Sequence, residues 1–193
     1  MRKLVFDIET KNAFFEVGTQ NAADLDISVV GLYDYFLDQY LAFEEHEFPK
    51  MWSHFEQADM LITYNGNHFD IPLLNKYYAG DLTRIYSLDI LKELHKSAGR
   101  RMKLDQVAEG TLGTHKTGDG LEALEWWRNG EKQKVKDYCL MDVKLTKEIF
   151  EYARMHNKLY FSQGGQRTEV PLAAHNWEDL NDASQALTYS LPF

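Results

Sequence analysis

The chain has 193 residues, of which 44% are apolar and 26% are charged, a balance typical of a soluble globular protein with one sizeable core. A formal net charge of −9 argues against a large basic surface for nonspecific nucleic-acid binding, but it does not exclude an enzyme that acts on nucleic acid. A single cysteine excludes an internal disulfide and a multi-cysteine zinc site, and no apolar run is long enough to cross a bilayer. Because acidic residues interrupt the N-terminal apolar stretch, no signal peptide is expected and we predict a cytoplasmic protein.

The apolar patterning predicts three strands in succession, followed by alternating strands and helices. Predicted strands occupy residues 2–9, 27–35, 39–43 and 60–64. Predicted helices occupy residues 48–58, 88–96, 104–112, 121–128 and 131–156, and another begins at about Pro72. Residues 113–120 predict a glycine-rich surface loop, and residues 159–173 predict a β-hairpin broken at Gly164-Gly165. We therefore expect an α/β fold with a mixed sheet flanked by helices, in which residues 157–193, the hairpin and an extended tail, pack on a main domain of residues 1–156.

Two acidic residues, Asp7 and Glu9, lie on the first predicted strand. Because they are two residues apart, both side chains leave the same face of that strand. Carboxylates on an otherwise apolar, central strand are unfavourable unless something compensates their charge. The alternative is a strand that reaches the surface at its C-terminal end, where water solvates both acids.

Three further residues belong with this pair. Asp70 lies between a strand end and a helix start, where capping of the helix N-terminus is an alternative role. Tyr138 and Asp142 are four residues apart on the long helix, so they share one face of it. Surface helices often carry such a pair, but here Val135 and Cys139 make the same side apolar. An acid on that side requires an explanation.

Three segments occur in a recognisable order, namely Phe6-Asp7-Ile8-Glu9-Thr10, Tyr64-Asn65 with Phe69-Asp70, and Tyr138-Cys139-Leu140-Met141-Asp142. They resemble the three exonuclease motifs of the DEDD superfamily in its tyrosine-bearing branch, and are most similar to the proofreading domain of family B DNA polymerases and its stand-alone relatives. The resemblance covers about residues 2–153. The histidine-bearing branch would place a histidine five residues before Asp142, where this chain has Asp137. The motifs are more closely spaced than in a polymerase, so a proofreading role does not follow.

The resemblance implies an RNase H-like fold and a metal-dependent 3′–5′ exonuclease that hydrolyses single-stranded DNA and releases nucleoside 5′-monophosphates. It also implies two ions held by four carboxylates, of which Asp7 bridges both ions, Glu9 and Asp142 complete one site, and Asp70 supports the second. Tyr138 would orient the attacking water. An all-oxygen ligand set favours Mg²⁺ or Mn²⁺.

The sequence provides weaker evidence for substrate-binding residues than for the five residues of the predicted active site. Thr10 and Asn65 are candidates for holding the terminal nucleotide, and Phe69 either stacks on a base or belongs to the core. Lys116 either reaches a phosphate or is a solvated loop residue. A basic stretch either guides the strand or is a solvated helix end; its members are Lys92, Lys96, Arg100, Arg101 and Lys103.

Two other functions stay open at this point. An RNA exonuclease is one, because the catalytic centre contacts phosphates that both polymers share. The other is a nucleic-acid-binding or polymerase-accessory module that has lost catalysis. A polymerase or repair partner and the oligomeric state are also left open.

Overall fold

The structure, a computed structural model, describes residues 1–114 and 120–179. Within these residues, the main sheet has five strands in the order β3-β2-β1-β4-β5. The strands are β1 (Lys3–Thr10), β2 (Ile27–Asp34), β3 (Gln39–Glu44), β4 (Met60–Thr63) and β5 (Tyr86–Asp89). β2 pairs antiparallel with β1 and β3, whereas β4 pairs parallel with β1 and β5, so the predicted mixed sheet is confirmed.

Helices cover both faces of this sheet. They are α1 (Phe14–Val17), α2 (Phe48–Glu56), α3 (Asp70–Asn75), α4 (Ile90–Ala98), α5 (Leu104–Leu112), α6 (Gly120–Arg128) and α7 (Lys132–His156). Most of the predicted elements differ from these bounds by at most two residues at either end. Part of the predicted loop, residues 115–119, lies outside the described residues.

Two predicted helices are present but begin two residues from their predicted starts, and strand β5 was not predicted. Residues 88–96 do not form one helix, because Leu88 and Asp89 belong to β5, and α4 begins only at Ile90. The short strand pairs with β4, and this long-range pairing has no local periodicity that would reveal it. The helix predicted from Pro72 begins at Asp70, since proline is tolerated anywhere in the first turn, where no N–H bond is required.

Because side chains alternate along β1, they contribute to two core clusters, one on each face of the sheet. Leu4 and Phe6 belong to the cluster beneath α2 and α3, where the Phe6 ring packs edge-to-face on Phe55 with centroids 5.2 Å apart. Val5 belongs to the cluster beneath α4, α5 and α7. Asp7, two residues beyond Val5, therefore points to the face that α7 covers.

A hairpin of β6 (Lys158–Gln163) and β7 (Gln166–Pro171) follows α7 and packs against α5. A Cβ at Gly110 would lie 2.5 Å from the Phe161 backbone, so α5 and β6 are in direct backbone contact. Residues 180–193 of the predicted tail lie outside the described residues. In the part of the chain that the structure describes, no helix combines the length and apolarity that crossing a lipid bilayer requires.

Candidate active site

The acidic pair lies where the central strand extends past one of its neighbours. β1 pairs with β4 only from Lys3 to Val5, whereas its pairing with β2 continues to Thr10. Asp7 lies opposite Gly31 of β2, and the register shifts after Glu9. The C-terminal end of β1 is thus open on the β4 side, which leaves room for groups from other elements.

Helix α7 crosses this end of β1 at short range because β2 has a glycine beneath it. A Cβ at Gly31 would lie 2.8 Å from Cys139 Sγ and 3.2 Å from Val143 Cγ2. Cys139 Sγ lies 3.4 Å from the Asp7 carbonyl oxygen. We did not single out Gly31 from the sequence, although a glycine inside a strand is a signal of close backbone approach.

The close approach of α7 brings three carboxylates together. Asp7, Glu9 and Asp142 each offer an oxygen, and these oxygens all lie within 4.8 Å of one another. We call these three residues the acidic cluster. Asp142 and Tyr138 are both only 4% exposed, and the Tyr138 ring packs edge-to-face on Trp126 at 5.8 Å.

The fourth predicted acid, Asp70, lies beside this cluster rather than within it. It is the first residue of α3, is 3% exposed, and its Oδ1 has no hydrogen-bond partner among the described residues. Burial, together with the charges of Asp89 and Asp142, raises the pKa of Asp70 to about 7, although the Ile8 backbone N–H partly opposes this shift. Asp70 therefore neighbours both β1 and the acidic cluster.

Asp89 holds the loop that leads to Asp70. Its Oδ1 accepts hydrogen bonds from the backbone N–H of Asn65 at 2.8 Å and of Lys92 at 3.3 Å, and its Oδ2 accepts one from Asn67 at 3.2 Å. These bonds support the left-handed conformation of Asn65, whose φ is 72°. Asp before a helix is a capping signal, but nothing local indicates that this cap also holds a distant loop.

The other candidate residues have mixed surroundings. Thr10 Oγ1 donates a hydrogen bond to the Asn12 carbonyl at 2.8 Å, and Asn65 Oδ1 accepts one from Arg101 at 2.6 Å. Phe69 packs edge-to-face on Phe14 and contacts the core beneath α3. Lys116 lies outside the described residues.

The thiol beside the cluster packs as a small apolar group, since Cys139 is fully buried. Burial is the first reason that the pKa of Cys139 is raised well above its usual value, and the charges of Asp7, Glu9 and Asp142 add to it.

The chemistry of the acidic cluster fits a divalent cation. At separations of at most 4.8 Å and an effective dielectric constant near 20, each like-charge pair is unfavourable by about 3.5 kcal/mol or more. Carboxylate oxygens are the ligands of hard cations, and the unpartnered buried oxygen of Asp70 is a further oxygen ligand beside them. The residues present therefore fit the divalent metal ions that the resemblance to exonucleases implies.

Comparison with known proteins places the chain in a family. The model of the RNase H superfamily matches residues 4–156. Among solved structures, the fold matches the family B DNA polymerase from the hyperthermophilic archaeon Pyrobaculum calidifontis with a TM-score of 0.61 and 20% identity, over 79% of this chain and 24% of the polymerase chain. The chain thus spans about a quarter of the polymerase, and at this identity the likeness shows the fold alone. No curated protein sequence matches the chain significantly.

The RNase H-like fold that the motifs predicted is confirmed, and it is similar to the fold of part of a family B polymerase, whereas the tyrosine-bearing exonuclease branch stays a prediction. The chain belongs to the RNase H superfamily, and this membership, with its acidic cluster, supports a nuclease of the kind that uses divalent metal ions.

Proposed function

We propose that the protein is a 3′–5′ exonuclease of the tyrosine-bearing DEDD type that hydrolyses single-stranded DNA with two Mg²⁺ or Mn²⁺ ions. The observation that carries the proposal is the convergence of Asp7, Glu9 and Asp142 within 4.8 Å, with buried Asp70 beside them. Residues 7 and 142 are far apart in the chain, and an acidic cluster on a covered sheet face is unfavourable without cations.

In this proposal, Asp7 would serve both ions, Glu9 and Asp142 would complete one site, and Asp70 would support the second. When bound, the ions would lower the pKa of a water molecule and stabilise the attacking and leaving oxygens of an in-line displacement. The raised pKa of Asp70 fits this role, because a carboxyl group that is protonated without a cation ionises when positive charge is placed beside it.

Tyr138 positions the attacking water. Its ring is held by Trp126 and by burial, so the hydroxyl group has a defined direction. A phenol donates one hydrogen bond and accepts others, which suits orientation of a water molecule better than removal of its proton. Tyr138→Phe is therefore expected to lower the rate without abolishing it.

Thr10, Asn65 and Phe69 are the described candidates for holding the terminal nucleotide, and Lys116 is a further candidate for a phosphate. Thr10 adjoins the acidic cluster along β1, and Asn65 and Phe69 lie on the loop that leads to Asp70. We place the protein in the cytoplasm, since a lone buried cysteine suits a reducing compartment.

The test is degradation of a DNA strand labelled at its 5′ end, with either ion present. The wild type is expected to shorten the strand stepwise from the 3′ end, and Asp142→Asn to lower the rate by about a thousandfold or more, because it removes a ligand from the ion site. Asp137→Asn is the matched control, since Asp137 is exposed on the same helix and bonds only Gln133 among the described residues.

Three results would contradict the proposal. Immediate release of the labelled terminal nucleotide would mean the opposite polarity, and cleavage of a circular single strand would mean an endonuclease. Equal activity of Asp142→Asn and Asp137→Asn would remove the acidic cluster from the chemistry. An RNA strand of the same sequence, labelled in the same way, decides which sugar is preferred.

A further inference from the structure

A cavity of about 260 Å³ lies between the loop of residues 64–69 and the first turns of α4. Half of the residues that line it are basic, namely His68, Lys92, His95 and Arg101. We call these four residues the basic pocket. All four side chains are exposed, so a ligand reaches them from solvent.

The positive charge of this pocket is not balanced locally. Within residues 1–114 and 120–179, neither Lys92 nor Arg101 forms an ion pair, whereas nearby Lys96 binds Glu93 at 2.6 Å. Most described cations of this acidic chain have acidic partners, for example Lys3 with Glu178 and Arg128 with Glu16. Two cations without such partners in one concave site favour an anionic ligand.

The one acid in the pocket lining is held by the protein backbone. Asp89 is 5% exposed, and both of its carboxylate oxygens accept hydrogen bonds from backbone N–H groups. These bonds offset part of its negative charge, and the charges of Lys92 and Arg101 together exceed it. Asp89 also occupies the N-terminus of α4, so the ligand would be held by side chains rather than by the helix end.

The pocket lies on the loop that leads to Asp70. Asp89 of the pocket lining accepts hydrogen bonds from the Asn65 and Asn67 N–H groups of this loop, and the Ile71 N–H donates one to the Gly66 carbonyl at 2.9 Å. Arg101 Nη2 donates a hydrogen bond to Asn65 Oδ1, which uses one of the five guanidinium donors and leaves the others for a ligand. A second cavity, of about 520 Å³, shares Asn65 and Arg101 with the first and adds Lys103.

The basic surface continues from this second cavity toward the hairpin. Arg100 Nη2 donates a hydrogen bond to Gln163 Oε1 at 2.7 Å, and its guanidinium lies 4.9 Å from the centroid of the Phe161 ring. Arg100 thus lies against the hairpin. The exposed cations form a series from the basic pocket to the hairpin, which suits several phosphates of one strand better than a single small anion.

We infer that the basic pocket binds a backbone phosphate of the nucleic-acid strand whose 3′ end lies at the acidic cluster. Lys92 and Arg101 contact the phosphate oxygens, and the strand leaves along Lys103 and Arg100. This inference rests on the proposed function, because it assigns the upstream part of the same substrate. It explains how a chain with a net charge of −9 holds a polyanion.

The experiment compares Lys92→Gln/Arg101→Gln with Lys50→Gln, which removes an exposed cation on α2 that has no ion pair among the described residues. Affinity for oligothymidylates of increasing length is measured by fluorescence anisotropy in Ca²⁺ at several salt concentrations. We expect the double variant to bind the longer oligomers about tenfold more weakly and to lose about 0.7 of the salt slope for each phosphate contact removed. The affinity of the wild type should increase at the oligomer length at which a phosphate of the strand first reaches the basic pocket.

Turnover of thymidine 5′-p-nitrophenyl phosphate, which has no upstream phosphate, separates the pocket from the catalytic centre. Because Arg101 also bonds Asn65, the double variant should lose some activity on this ester, but about tenfold less than it loses on the longer oligomers, and Lys92→Arg/Arg101→Lys should retain oligomer affinity. Equal binding by the double variant and Lys50→Gln would overturn the inference, as would equal losses in the glutamine and charge-retaining variants. A wild type that binds oligomers but hydrolyses neither substrate would refute the proposed function, while the binding data still decide the pocket.

Discussion

Gly31 determines how closely α7 can approach the central strand. Its Cα carries no side chain, and three α7 side chains occupy the space that a Cβ would need. Cys139 Sγ is the nearest, at 2.8 Å from the position of that Cβ. Because α7 carries Tyr138 and Asp142, a missing side chain on β2 positions two residues of the proposed active site. At the scale of single residues, the site therefore depends on a residue that has no chemistry of its own.

Gly31→Ala is expected to push α7 outward, destabilise the protein by about 1–3 kcal/mol and lower nuclease activity by about tenfold or more. Thermal melting and single-turnover hydrolysis measure the two effects. Gly120→Ala is the matched control, since a Cβ there has no atom of the described residues within 4 Å. Adding Cys139→Ala to Gly31→Ala should restore part of the activity; failure of the glycine substitution to affect either quantity would contradict the packing argument.

Asp70 gives a pH-dependent prediction for the metal-free protein. Its folded pKa of about 7 lies above the ordinary value of 3.8, so ionisation opposes folding progressively as pH rises between these values. With a chelator present at pH 8, Asp70→Asn should melt at least about 3 °C above the wild type, a shift equivalent to about 1 kcal/mol. Near pH 4 the two proteins should have the same melting temperature. An equal difference at both pH values would show that ionisation of Asp70 is not responsible.

At the scale of elements, side chains complete backbone pairing where two elements meet. Thr111 on α5 is 8% exposed; its Oγ1 donates to the Tyr160 carbonyl at 2.8 Å and accepts from the Tyr160 N–H at 2.9 Å. One hydroxyl therefore satisfies two polar groups on the side of β6 that β7 does not pair. The hairpin is held on α5 by polar bonds as well as by the contact at Gly110.

Thr111→Val keeps the shape of the side chain but leaves both Tyr160 groups without this partner. We expect a loss of about 1–3 kcal/mol and faster hydrogen exchange at the Tyr160 amide. Thr168→Val on exposed β7 is the control and should change stability by less than about 0.5 kcal/mol. Unchanged exchange at Tyr160 would mean that the hairpin is held by apolar contacts alone.

At the scale of the whole molecule, charges of opposite sign are placed on neighbouring surfaces. The acidic cluster lies under α7 and the basic pocket beside α4, and the loop held by Asp89 joins the two regions. A metal ion bound by the native state alone stabilises it by mass action.

Mg²⁺ or Mn²⁺ at about a hundred times its dissociation constant should stabilise the protein by about 2.7 kcal/mol, which raises the melting temperature by about 5–10 °C. Asp142→Asn should lose most of this increase, yet melt no lower than the wild type in chelator, because it removes one of three repelling charges. Asp137→Asn should retain the full increase. A wild-type melting temperature that neither ion changes would contradict the metal site.

Local sequence determined most of the helices and strands of this protein and the faces on which its acidic residues lie. The two-residue spacing of Asp7 and Glu9 and the four-residue spacing of Tyr138 and Asp142 set which face each pair occupies, and strongly periodic segments such as residues 104–112 predicted their own elements. Only the tertiary structure decided that Leu88 and Asp89 form a strand, that Asp89 holds the loop around Asn65, and that Gly31 admits α7. The physical reason is that spacing along a strand or helix is a property of neighbouring residues, whereas strand order and the distance between layers depend on contacts between segments far apart in the chain.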